Sequence, residues 1–98
     1  MTDAAPPRSR RATIIRNPGA RRPPSDRGLA DAIEAIRPAG WTASLQNTTA
    51  PGDATRLAAR AASDGVDVVV ACGGDGTLNE VANGLIGSDT ALAVLPGG

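Results

Sequence analysis

The period of the apolar positions changes several times along the chain, and each change marks an element. ATIIR, residues 12–16, is short and β-branched and reads as a strand. It ends at Asn17-Pro18-Gly19, where proline fixes φ at one corner of a turn and glycine accepts positive φ at the next. After an Arg- and Pro-rich loop over 20–25, Leu29, Ile33 and Ile36 recur with the spacing of one helix face. Ser25 or Asp26 can cap that helix, and Pro38 and Gly40 end it. WTASLQ, residues 41–46, predicts a second, weaker strand. Thr48, Thr49, Pro51 and Asp53 offer a helix start, and Ala54, Leu57, Ala58, Ala61 and Ala62 then form a narrow stripe of small residues that Gly65 stops. VDVVVA, residues 66–71, is the third strand, and its near-continuous apolar run predicts burial on both faces. Leu78, Val81, Ala82 and Leu85 give another helix, closed by Gly87, and ALAVL, residues 91–95, is a fourth strand before Pro96-Gly97-Gly98.

The order β-α-β-α-β-α-β predicts an α/β fold with an open, mostly parallel sheet, flanking helices and right-handed crossovers. Ligands of such sheets bind beyond the carboxyl ends of the strands. Three unusual segments fall on that edge: Asn17-Pro18-Gly19, Gly73 to Thr77, and Pro96-Gly97-Gly98. No repeat or internal linker interrupts residues 11–98, which read as one domain. The Pro-, Ser- and Arg-rich residues 1–10 read as a disordered basic tail.

Composition narrows the chemistry. All ten basic residues of the 98 are arginine, so there is no phosphate-binding lysine of the Walker kind, no strand lysine of the protein-kinase kind and no Schiff-base lysine. With no histidine, Ser-His-Asp and Cys-His catalysis and histidine metal sites are excluded. Cys72, the single cysteine, reads as a small core residue with no group to activate it, and it fits a reducing compartment. Trp41, the single aromatic, reads as a packing residue at a strand start. The opening MTDAAPPRSRR lacks the apolar core of a signal peptide, and no apolar run approaches the ~18–20 residues of a membrane helix. A cytoplasmic location is therefore expected. The zero net charge is unevenly spread: residues 1–27 carry seven arginines against Asp3 and Asp26, whereas residues 28–98 carry three against eight acids. The basic start reads equally as a solvated tail or as a contact to anionic lipid or nucleotide phosphate.

The sharpest motif is CGGDGTLNE, residues 72–80. Gly73, Gly74 and Gly76 lack Cβ, so a ligand can approach the main chain, and their freedom permits a nest of inward amides. Thr77 to Glu80 fits a capping box, with Thr77 as cap and Glu80 three residues on. A glycine loop that opens a helix is a phosphate site. Asp75, at its centre, then has three readings: it complements the helix dipole and bonds loop amides, it holds Mg2+ directly or through water, or it accepts a proton from an attacking hydroxyl. The loop is not a dinucleotide fingerprint, because Asn79 stands where the third glycine would be.

VVVACGGDGTLNEVANGL resembles the signature of the diacylglycerol kinase catalytic domain family, which includes sphingosine kinases and bacterial lipid kinases. Arg16-Asn17-Pro18, Thr48-Thr49 with Gly52-Asp53-Ala54, and Leu95-Pro96-Gly97-Gly98 are similar to further segments of that family, so the likeness spans about residues 12–98. The GGDGT loop also occurs in NAD kinases and phosphofructokinases, and the Asn79-Glu80 pair tilts the reading toward lipid kinases. The resemblance implies the N-terminal lobe of the NAD kinase/diacylglycerol kinase-like fold and ATP-dependent transfer of the γ-phosphoryl group to a lipid hydroxyl, with Mg2+. It implies ATP contacts at Asn17, Thr48, Gly73, Gly74, Asp75, Gly76, Thr77, Leu78, Asn79 and Glu80. Asp75 would organise phosphate, metal or the reacting hydroxyl. A lipid acceptor at the inner membrane surface is the implied partner; no nucleic acid is expected, and a homodimer is left open. The family continues beyond the position of Gly98 into a β-rich part that carries further metal ligands, the general base and the lipid pocket. The chain is therefore expected to be an N-terminal portion, inactive or nearly so by itself. Two other readings share the loop: an NAD or sugar-phosphate kinase, and a non-catalytic nucleotide-binding domain.

Overall fold

Strands and helices alternate in the expected order: β1 (Arg10–Arg16), α1 (Asp26–Ile36), β2 (Trp41–Asn47), α2 (Asp53–Ser63), β3 (Val68–Gly73), α3 (Asp75–Leu85) and β4 (Ala91–Pro96). The structure is a computed structural model and describes residues 9–96. Most of the tail expected over residues 1–10 lies outside the described residues, as do Gly97 and Gly98. Arg10, which that tail included, opens β1 instead. It is drawn into the sheet by pairing with Trp41, and its guanidinium stands 5.8 Å from the centre of the indole ring.

All four strands are parallel, in the order β2-β1-β3-β4. Successive strand residues face opposite sides of a sheet, so each strand feeds two layers. Ile15, Val69 and Ala71 pack with Ala54, Ala58 and Ala61 of α2 and with Val81 and Leu85 of α3. Ile14 and Cys72 pack on the other face with Leu29 of α1. The third strand is thus buried on both faces, as its apolar run predicts. β3 begins two residues later than expected and ends two residues later. Val66 is used in the turn that closes α2, where Gly65 has φ 78° and the Val66 amide donates to the Ala61 carbonyl. Its side chain is buried, so its apolar character reflects burial beneath the end of α2 rather than strand pairing.

The small residues of α2 set the distance between the helices. A Cβ on Gly84 of α3 would stand 2.3 Å from the Thr55 carbonyl oxygen and 2.8 Å from the Ala58 Cβ, so the two backbones meet where neither helix carries bulk. α1 runs into a single 3-10 turn, Arg37–Ala39, which absorbs Pro38, and Gly40 ends it at φ 91°. At the other edge, Leu92, Val94 and Leu95 of β4 remain exposed; pairing with Val69, Ala71 and Cys72 puts them on both faces of the sheet. Among the described residues no helix is long and apolar enough to cross a membrane.

Gly84→Val would force the α2–α3 contact apart. We expect a loss of about 1–3 kcal/mol, the usual cost of overpacking, read as a lower midpoint in thermal or urea unfolding. An unchanged midpoint would show that the helices are not held this closely.

Candidate functional site

The strand order reverses between β1 and β3. From β1 the chain moves outward to β2, then crosses back to β3 on the other side. Such a switch point opens a crevice at the carboxyl edge of the sheet. Three segments surround it.

The first follows β1. The Asn17 amide donates to the Cys72 carbonyl at 3.0 Å, which fixes the turn to the end of β3. Asn17 Oδ1 accepts from the Gly19 amide at 2.9 Å, and the Ala20 amide donates to the Asn17 carbonyl at 3.1 Å. Gly19 does not take the positive φ expected of it. The asparagine side chain closes the turn, so no left-handed corner is needed. Below the turn Arg16 is buried. Its Nε donates to Asn47 Oδ1 at 2.9 Å, one terminal nitrogen to the Pro24 carbonyl at 2.8 Å, and the other to Asp26 Oδ1 at 2.6 Å.

The second segment follows β2. The Thr48 amide donates to the Arg16 carbonyl at 2.9 Å. Gly52, at φ 89°, turns the chain into α2 without a side-chain cap of its own. The Asp53 carboxylate folds back over this bend. It accepts from the Thr49 hydroxyl at 2.6 Å, the Thr49 amide at 2.7 Å and the Ala50 amide at 3.1 Å, and Arg56 adds a bond at 2.7 Å. The Thr49 bonds, with the neighbouring guanidinium, hold the Asp53 carboxyl well below the usual carboxylate range.

The third segment is the glycine loop, and here the capping box is not formed. α3 starts at Asp75, with extended Gly74 as its cap and no side-chain hydrogen bond there. Thr77 lies inside the helix and is buried against Gly73; a Cβ on Gly73 would sit 2.5 Å from Thr77 Oγ1. Glu80 caps a different helix. Its Oε1 accepts from the amides of Gly52 at 3.2 Å and Ala54 at 3.3 Å, the open start of α2, and Thr55 Oγ1 donates to the Glu80 carbonyl at 2.8 Å. The local pattern lost to a tertiary partner with the same need for an acceptor. Nor do Gly73, Gly74 and Gly76 form a left-handed nest, since none has positive φ. They contribute the lack of a Cβ. At Gly74 and Gly76 a Cβ would meet nothing within 4 Å, which leaves the first turn of α3 open to an approaching group.

These segments enclose a cleft of about 440 Å³ lined by Asn17 to Gly19, Thr48 to Pro51, Ala54, Gly76, Thr77 and Glu80. That volume suits a small-molecule site. Of the residues singled out from sequence, Asn17, Thr48, Gly76, Thr77 and Glu80 are brought together on its walls. Gly74, Asp75 and Asn79 are exposed around the start of α3, Gly73 is buried beneath Thr77, and the Leu78 side chain packs against the core. Sequence reasoning placed Pro18 and Gly19 on the ligand edge but assigned no contact to them, nor to Thr49, Ala50, Pro51 or Ala54, which also line the cleft.

The site is suited to a polyphosphate. Uncapped amides at the start of α3 carry the partial positive charge that favours an anion. Among the described residues the Asp75 carboxylate accepts no hydrogen bond, so it does not tie down the loop amides. Among the described residues no group of three or more Cys, Asp or Glu gathers as a metal cage. Divalent cations such as Mg2+ take one or two carboxylates and fill the rest of their shell with other oxygens, and Asp75 is the exposed carboxylate at the start of α3. Burial pushes the Cys72 thiol up, against the opposing charge of Arg16, so the thiol is a core group and no nucleophile.

Residues 11–98 match the diacylglycerol kinase catalytic domain family. The chain belongs to this family. It is 43% identical over 91 residues to a diacylglycerol kinase of Bacillus subtilis, covering 91% of this chain and 30% of that protein. It is 46% identical over 76 residues to a diacylglycerol kinase of Staphylococcus aureus, covering 78% of this chain and 24% of that protein. Among solved structures, a diacylglycerol kinase from Bacillus anthracis superposes with a TM-score of 0.70 at 30% identity, covering 97% of this chain and 32% of that one. The chain therefore spans less than a third of the length of these family members.

Linkage gives Asp53 a defined acid limit. Its native carboxyl is held below the ordinary value, so its stabilisation is complete above the ordinary aspartate range and is lost as pH falls toward the depressed native value. Asp53→Asn should lower stability at neutral pH, and its deficit should shrink progressively below about pH 4. Denaturant unfolding across pH checks this; a deficit that stays constant into acid would contradict it.

Proposed function

We propose that residues 11–98 form the ATP-binding lobe of an ATP-dependent lipid kinase that transfers the γ-phosphoryl group to the hydroxyl of a diacylglycerol-like or sphingoid lipid. The observation that carries this reading is the open, uncapped start of α3 at the β1/β3 switch point, facing Asn17 and Thr48 across a nucleotide-sized cleft. Family membership supports the kinase and its lipid acceptor. The amides of Gly74, Asp75, Gly76 and Thr77 would hold polyphosphate oxygens. Asn17 and Thr48 would contact the nucleotide from the opposite walls. Asn79 would reach it from the exposed first turn, and Leu78 through its main chain alone.

Phosphoryl transfer asks a protein for positioning and charge stabilisation, to which main-chain amides contribute without lysine. Mg2+ would supply charge neutralisation, and Asp75 is the carboxylate that would hold it, directly or through water. Glu80 is already engaged by two amides of α2. Its contribution would be to fix the cleft wall. The lipid substrate would bring such an enzyme to the inner membrane surface from the cytoplasm.

Gly74→Val separates site from scaffold, because a Cβ there meets no protein atom within 4 Å. We expect a nearly unchanged unfolding midpoint and ATP binding weakened by about tenfold or more, measured by calorimetry with Mg2+. Asp75→Ala should reduce the Mg2+ dependence of that binding. Equal ATP affinity in Gly74→Val would contradict the site. Transfer of labelled phosphate to diacylglycerol, sphingoid base and NAD by the encoded polypeptide tests the acceptor, with a lipid expected to be favoured over NAD.

A further inference from the structure

We propose that Arg16 is a positioning residue for the cleft, one that holds two of its three walls in register; this rests on the nucleotide reading above. Ile14 and Arg16 lie two apart on β1 and face the α1 side of the sheet, where an apolar residue would ordinarily follow. The residue is only 8% exposed, and each of its three guanidinium nitrogens donates a hydrogen bond. A buried guanidinium without partners would be costly, so its three bonds are obligatory rather than ornamental.

The partners belong to separate segments. Asn47 is the last residue of β2 and precedes Thr48, whose amide also bonds the Arg16 carbonyl. Pro24 and Asp26 end the loop that begins at Asn17 and open α1. Arg16 itself carries Asn17. One side chain therefore spans the Asn17–Gly19 wall and the Thr48 wall, and its three hydrogen bonds go to none of Gly73, Gly74 and Gly76. The planar fork of arginine can reach three divergent acceptors at once; a lysine ammonium projects from one point and cannot. Because Asp26 is 87% exposed, its arm can be cut without opening the core.

The test compares Arg16→Lys, Asn47→Ala and Asp26→Ala with the native polypeptide, reading both the unfolding midpoint and the dissociation constant for ATP with Mg2+. Expected is a graded loss of ATP affinity, about tenfold for Arg16→Lys and smaller for each single arm, beyond any fraction left unfolded. Arg16→Lys should fall short of full rescue because it restores charge without the fork. If Arg16→Lys does not fold, the two exposed-arm variants carry the comparison. A lower midpoint with native ATP affinity in the folded protein would make Arg16 merely structural and overturn the proposal. Failure of the native polypeptide itself to bind ATP would instead sink the nucleotide reading, and this inference with it.

Discussion

The bond between the Glu80 carboxylate and the open amides of Gly52 and Ala54 is the interaction on which the site depends. It satisfies the start of α2 from a neighbouring helix, and so ties the glycine loop of α3 to the bend that carries Thr48 and Thr49. The tie is feasible only because Gly84 and Ala58 let the two helices meet closely. Removing bulk from one contact thus brings a carboxylate within reach at another. The two ends of the cleft are coupled by helix packing rather than by a loop.

That coupling explains how a thin core can support a precise edge. Ala54, Ala58 and Ala61 contribute little area each, but they pack α2 against Ile15 of β1 and Val69 and Ala71 of β3. The opposite face rests on Ile14, Cys72 and Leu29, with Arg16 taking over where the apolar run ends. Main-chain bonds from Asn17 to Cys72 and from Thr48 to Arg16 continue the strand pairing past the strands themselves. The switch point is held open by the same ladders that make the sheet.

Much of this was legible in the sequence, because hydrophobic period reports burial directly. The alternating order, the parallel sheet and the small-residue stripe of α2 follow from positions such as Leu29, Ala58 and Val69. The errors share one cause: local chemistry has tertiary competitors. Thr77 and Glu80 match a capping box residue for residue, but Gly73 draws Thr77 inward and α2 claims Glu80. Val66 reads as strand because it is apolar, whereas its burial comes from the turn beneath α2. Arg16 reads from sequence only as the end of the first strand, next to a turn. Its place two residues after Ile14 was the available signal that it points inward, but no local pattern names Asn47, Pro24 and Asp26 as its partners.

The glycine loop likewise separates composition from conformation. Glycines there suggest left-handed backbone, yet among the described residues the left-handed glycines are Gly40, Gly52, Gly65 and Gly87, at helix ends. In the loop the missing side chains matter for clearance, beneath Thr77 and above the first turn of α3. Backbone amide shifts during titration of the isotopically labelled polypeptide with ATP and Mg2+ report this surface most directly. The account predicts the largest changes at Gly74, Gly76, Thr77, Gly19 and Thr48. Changes gathered at the amino edge of the sheet, around Gly65 and Gly87, with the glycine loop silent, would contradict it.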